Sequence, residues 1–305
     1  MIFMFGYNTL SAALRGMGDS RRPFVFIAIA AMVNIALDLL FVAGFDMEVF
    51  GAALATVISQ GLSCIIALIY LFIKKESFGF DFRPDSFKID RKAFKKLVAL
   101  GVPMAIQSAA INFSKIVLTS WINLYGVVFS ALSGLYNKIN MMIGIVSQSF
   151  TTAGSTMVGQ SLGAKKYDRV PKIMKVVLYS SVLISTVLAA ALFFFSEPIF
   201  RMFTADEEVL AIASIVVLPA ILNMYGSATR SVSFSLMNCS GNAKLNFAEA
   251  IIDGLISRIG ISALLGFAVG MGCQGFWYGD ALAGYMPMVI GRIFFFSGRW
   301  KKEKT

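Results

Sequence analysis

Nine stretches of this chain are too long and too apolar to fit inside a soluble core. They cover residues 1–14, 22–43, 50–73, 97–124, 127–158, 172–195, 209–237, 243–269 and 273–297. A helix crosses a bilayer with roughly 20 mainly apolar residues. The first run is short of that, and the third to fifth exceed it, which predicts tilt or extension beyond the lipid. Composition agrees: 57% of residues are hydrophobic and only 14% charged, where a soluble chain carries about 25% charged residues. The predicted class is an all-α integral membrane protein with about nine spans, the first incomplete.

Other classes fall away in turn. A net charge of +10 invites nucleic acid as a partner, but the placement of the charges argues for topology instead. Lysine and arginine collect in the connections 15–22, 74–96, 159–175 and 238–244 and in the tail 298–305, which hold 21 of the 27. The alternate connections hold Arg201 alone, beside Asp46, Glu48, Glu197, Asp206, Glu207 and Glu208. That unbroken alternation puts the basic side, and with it the C-terminus, in the cytoplasm of a multi-pass plasma-membrane protein. Cys64, Cys239 and Cys273 are scattered singly, so neither a disulfide framework nor a zinc site is indicated. The chain has no histidine. No HExxH, GxSxG, paired catalytic carboxylates or nucleotide-binding loop suggests an enzyme or an ATP-driven pump. Residues 1–5 lack the basic start and cleavage site of a signal peptide.

The chain repeats itself. Leu14-x3-Gly18-Asp19 returns as Met237-x3-Gly241-Asn242, and Gly51, which opens one apolar run, returns as Gly275. The offset is 223 residues at the first pair and 224 at the second. Six spans separate the copies, so both point the same way, as in parallel-repeat transporters. The division this implies is 1–73 as the last three spans of a first lobe, 74–96 as a basic cytoplasmic linker around Arg83-Pro84-Asp85, 97–297 as a complete six-helix second lobe, and 298–305 as a basic tail. On repeat logic the opening helices of the first lobe are missing, and a fragment or a mis-started reading frame is expected.

Leu14-Arg15-Gly16-Met17-Gly18-Asp19-Ser20 with Pro23, Asn34-x3-Asp38, and Gly51-Ala52-Ala53-Leu54-Ala55-Thr56 resemble the multidrug and toxic compound extrusion (MATE) family. Gly159-Gln160-Ser161-Leu162-Gly163-Ala164 resembles that family's Gly-Gln-x-x-Gly-Ala turn. The resemblance implies two six-helix lobes around a central cavity. It implies an antiporter that exports amphipathic, often cationic, compounds in exchange for sodium ions or protons, acting as a monomer without other cofactors. A lipid-linked oligosaccharide flippase of a related superfamily and an inactive truncated remnant are the alternatives. The resemblance also implies an ion-coupling site at Asp38, Asn34 and Thr56, to which we add Asn8. A further aspartate belongs to a first helix that this chain lacks.

The residues themselves fit such a site. Asp38 and Thr56 lie five and six residues from the outer ends of their runs, roughly 8–9 Å deep at 1.5 Å per residue. Asn34 is one turn below Asp38 on the same face. A carboxylate, an amide oxygen and a hydroxyl suit sodium or a shared proton, and an acid within a span marks a solute pathway. In the second half, Lys115, Lys138, Arg230 and Arg258 oppose Glu249, Asp253 and Asp280, which leaves mutual pairing and a cavity role both open. Cavity candidates are Met141, Met142, Lys138, Gln107 and Asp280. Arg15, Gly18, Asp19, Gly159, Gln160 and Gly163 are assigned to structural turns, and Pro103 and Pro219 to kinks.

Overall fold

A computed structural model describes residues 1–76, 78, 79, 81, 83 and 88–301. Pro84 and Asp85 of the expected linker, and residues 302–305 of the tail, lie outside the described residues. The chain divides into two compact units, Met1–Asp90 and Arg91–Thr305. Among the described residues every regular element is helical.

The first unit holds three helices: α1 (Ile2–Gly16), α2 (Arg21–Asp38), extended by a π-helical segment Leu39–Gly44, and α3 (Glu48–Ile73). Small and aromatic residues hold them together. Tyr7, Leu14, Phe26, Cys64, Ala67 and Leu71 form the buried cluster, and the Tyr7 hydroxyl donates to the Pro23 carbonyl at 2.6 Å. A helical carbonyl has a second lone pair to offer, and Pro23 itself sits in the first turn of α2, where its missing N–H costs nothing.

The second unit begins with α4 (Arg91–Asn123) and α5 (Val127–Gly163), followed by α6 (Arg169–Phe194), α7 (Ser196–Arg201) and α8 (Glu207–Ile212). A 3₁₀ stretch, Ala213–Val216, leads into α9 (Val217–Met237). Next comes one long interrupted helix: α10 (Ala243–Ile251), π-segment Ile252–Ser257, α11 (Arg258–Ala263) and π-segment Leu264–Ala268. The last span is α12 (Cys273–Ala283) and α13 (Met286–Phe296). The 3₁₀ stretch ends three positions before Pro219, whose ring excludes a normal bond to the preceding turn. Pro103, by contrast, lies inside an unbroken α4.

Six of the helical stretches are long and apolar enough to cross a membrane: Arg21–Gly44, Glu48–Ile73, Arg91–Asn123, Arg169–Phe194, Glu207–Met237 and Ala243–Ala268. The other three expected runs are helical too, and each fails that test for its own reason. With 15 residues, α1 is about 22 Å long. Helix α5 is long enough, at 37 residues, but carries Asn137, Asn140, Gln148 and several threonines. The final run breaks at Gly284 and Tyr285, ahead of Pro287.

Helices α5 and α9 run parallel and are zipped by small polar residues. Asn223 donates to Asn140 Oδ1 at 2.8 Å, Ser147 to the Ser227 carbonyl at 2.8 Å, and Cys239 Sγ to the Ser155 carbonyl at 3.0 Å. An added Cβ at Gly154 would lie 2.2 Å from Ser235 Oγ. Close backbone approach with interhelical hydrogen bonds is the packing mode available where lipid removes the hydrophobic drive between helices.

Candidate functional site

The internal repeat is written into the backbone. Gly18 and Gly241 both take positive φ, at 97° and 66°, a conformation glycine adopts without strain. Each is followed by the same cap: Asp19 Oδ1 accepts from Arg22 N, and Asn242 Oδ1 from Leu245 N, both at 3.3 Å. At the other end, Phe45 N bonds to Leu40 O and Met47 N to Phe41 O, at 3.0 and 2.9 Å. Val269 N and Leu264 O, then Met271 N and Leu265 O, repeat the pattern at 2.9 and 3.1 Å. The glycine of the next helix packs on this π-turn in both copies. A Cβ at Gly51 would meet Phe41 Cβ at 3.0 Å, and one at Gly275 would meet the Leu265 carbonyl carbon at 2.5 Å.

Asp38 is the last residue of α2 before the first π-turn, and Asn34 lies one turn back on the same helix. The Oδ1 of Asp38 and the Nδ2 of Asn34 are shielded from solvent and have no hydrogen-bond partner. Buried polar atoms normally find partners; in the first unit Ser11 Oγ is the other shielded side-chain atom without one among the described residues. Thr56 is exposed and returns its hydroxyl to Ala52 O at 2.9 Å on its own helix. Asn8 is exposed on α1. Among the described residues no hydrogen bond joins Asp38 and Asn34 to either of them.

The same positions in the second copy, 224 residues on, are occupied differently. Asn34 maps to Arg258, Asp38 to Ser262 and Thr56 to Asp280. Arg258 and Asp280 form a buried, hydrogen-bonded ion pair. Arg258 also reaches Asp253 at 3.6 Å, and Arg230 reaches Asp253 at 3.8 Å. Glu249 accepts a hydrogen bond from Gln107 on α4. Thus Asp280 and Gln107, expected on a cavity wall, are engaged in packing contacts instead. The pairing side of the open question over these charges is what the geometry displays.

An open cavity of about 1080 Å³ lies between α4 and α5. Two helical stripes face each other across it: Asn112, Lys115 and Thr119 from α4, and Asn137, Asn140, Met141 and Gln148 from α5. Of the sequence candidates, Met141 lines this cavity. Met142 is exposed outside the lining, and Lys138 places its ammonium 5.7 Å from the centre of the Phe203 ring. Sequence reasoning left Lys115 open between pairing and a cavity role, and passed over the amides that share its cavity. Their i, i+3, i+4 spacing was the available signal, since such a stripe in a span must face protein or water.

The turn assignments divide. Gly18 and Asp19 do make a turn just beyond α1, while Arg15, expected in it, lies in the last turn of that helix, which ends at Gly16. Asp19 accepts from Arg22 at 2.9 Å and from the Tyr70 hydroxyl at 3.1 Å, with the Arg22 guanidinium 4.7 Å from the centre of the Tyr70 ring. Burial pushes the Asp19 carboxyl up, but these hydrogen bonds and the Arg22 charge outweigh it and hold the group below its ordinary value. Gly159, Gln160 and Gly163, expected in a turn, are helical in α5. Capping by Ala164 and a positive φ of 56° at Lys165 end the helix beyond them, so the glycines are not needed for the reversal.

The MatE family profile matches residues 103–264. The chain is 26% identical over 311 residues to the "Probable multidrug resistance protein YoeA" of Bacillus subtilis, covering 100% of this chain and 66% of that protein. It is 24% identical over 297 residues to the "Probable multidrug resistance protein NorM" of Thermotoga maritima, covering 96% and 63%. It therefore spans about two thirds of the length of these relatives. Among solved structures, "Crystal structure of MATE in complex with MaL6" superposes with a TM-score of 0.86 at 18% identity, over 97% of this chain and 67% of that one. Helices of membrane-spanning length, the backbone repeat and the profile match lead to one conclusion: this multi-pass membrane protein belongs to the MatE family of transporters, not to an enzyme family.

Proposed function

We propose that the chain acts in secondary antiport, exporting amphipathic small molecules by alternating access. A sodium ion or proton drives the exchange from Asp38, with Asn34 one turn below. The observation that carries this reading is the difference in partnering between the copies. Glu249 Oε1 and both Asp253 oxygens of the second unit also lack hydrogen bonds, but Asp253 and Asp280 have guanidinium groups within ion-pair distance and Glu249 has the Gln107 amide. Among the described residues no cation comes within ion-pair distance of Asp38, whose Oδ1 is shielded and without a hydrogen bond. A carboxylate left open inside a span is suited to take up and release a small cation.

Binding there does work only if the cation prefers one conformation, since a ligand shifts an equilibrium by its difference in affinity between states. The π-turn beginning at Leu39 is a natural point for that difference, because such turns leave carbonyls out of the regular helical ladder. The basic connections support a cytoplasmic C-terminus, and the proposed working unit is a monomer.

Asp38→Asn in the full-length protein tests the reading. Ion-coupled dye efflux from cells or proteoliposomes should be abolished, at least tenfold below wild type, with expression intact. Efflux retained under a sodium or proton gradient would remove Asp38 from the coupling step.

A further inference from the structure

The wall of the α4–α5 cavity carries a charge sense opposite to what a binder of organic cations needs. Its volume, about 1080 Å³, is at the upper end for drug-sized ligands. Its lining includes Lys115 and no carboxylate. The acids that could have faced it are sequestered: Glu249, Asp253 and Asp280 are 0%, 0% and 5% exposed, and their partners are Gln107, Arg230 and Arg258. Among the described residues no carboxylate comes within ion-pair distance of Lys115, whose side chain is exposed. The same lining holds Asn112, Asn137, Asn140 and Gln148, amides that can donate as well as accept.

An ammonium group that shares a cavity wall with several amides inside a membrane span is not lipid-facing chemistry. It is a complement for an anionic head on a flat, hydrogen-bonding body, and Met141 supplies a deformable apolar surface for that body. We propose that this cavity selects amphipathic compounds bearing a carboxylate, sulfonate or phosphate, with Lys115 as the residue that sets the charge preference. The proposal rests on the export reading above and narrows its substrate class, departing from the cationic compounds that the family resemblance implies.

The test uses two dyes that share a xanthene ring and differ in the sign of their charge. Fluorescein, an anion at pH 8, and rhodamine 123, a cation, are titrated by fluorescence anisotropy against the purified full chain in phosphatidylcholine nanodiscs. Fluorescein should bind at least about tenfold tighter. Lys115→Met should erase that preference, Lys115→Arg should retain it, and Lys166→Met, which removes a positive charge from the α5–α6 connection, should leave it unchanged. Equal or tighter binding of rhodamine 123, no binding of either dye, or a fluorescein affinity indifferent to Lys115→Met would overturn the proposal. The wild-type preference is informative even if a variant fails to fold. Asp38→Asn with retained efflux would instead sink the coupling reading and leave the dye preference standing, so the two failures are separable.

Discussion

At the scale of single residues, two aspartates of the first unit show how partners decide role. Asp19 has Arg22 and Tyr70 against it, and its carboxyl is held below the ordinary 3.8 despite burial. A group with a lowered folded pKa contributes stability in full above its ordinary value, and loses it as the pH falls through the lowered one. Asp19→Asn should therefore reduce thermal stability at neutral pH. Because Arg22 is half exposed, at 51%, the loss should be small, about 1 kcal/mol or less. Melting curves of wild type and variant should converge as the pH is taken below 3.8; a constant gap would show that the charge is not what Asp19 contributes. Asp38, with no such partners, has no comparable structural work to do, which is why it is the better candidate for exchange.

At the scale of elements, the glycines beside the π-turns make the sharper prediction. At Gly275 a Cβ would meet backbone atoms at 2.5–2.6 Å, and at Gly279 backbone and side-chain atoms of Ser262 at 2.3–2.5 Å. Backbone cannot step aside as a side-chain tip can, so Gly275→Ala should cost about 1–3 kcal/mol as overpacking. Gly51→Ala, whose nearest contacts are the Cβ atoms of Met47 and Phe41 at 2.9 and 3.0 Å, should cost less. Unfolding temperatures in detergent rank the two; an order reversed from this would mean that the helices part easily at Gly275.

The spans were legible because a helix in lipid must hide its whole backbone inside one apolar run, and the ends of Glu48–Ile73 and Ala243–Ala268 follow those runs within a few residues. The Gly51 and Gly275 pair was legible as a repeat. The π-turns they pack against were not, since Leu39–Gly44 and Leu264–Ala268 have no composition that sets them apart from α-helix. The partnership of Arg258 with Asp280 needed the tertiary packing of α11 on α12, and the charges alone left Lys115 open between pairing and a cavity role.

At the scale of the whole molecule, the repeated positions have diverged in chemistry while keeping their backbone. Arg258→Met would strand Asp280 without its guanidinium and weaken the hold on Asp253, and removing one partner of a buried pair costs about 3–5 kcal/mol. Arg258→Met with Asp280→Leu should recover a measurable part of that loss, because no unpaired carboxylate remains at the position. If the double variant melts no higher than the single one in detergent, the pair is not what holds α11 against α12. The first unit offers no parallel experiment, since Asn34 and Thr56 carry no opposing charges to pair.

The guanidinium at position 258 gives this asymmetry a stoichiometric consequence. It is a covalently tethered positive charge standing where the related helix keeps only an amide, and no gradient can carry it away. On the proposed coupling at Asp38, the repeat leaves a single one of its two related positions to a passing ion, so uptake there should saturate with a Hill coefficient of about one.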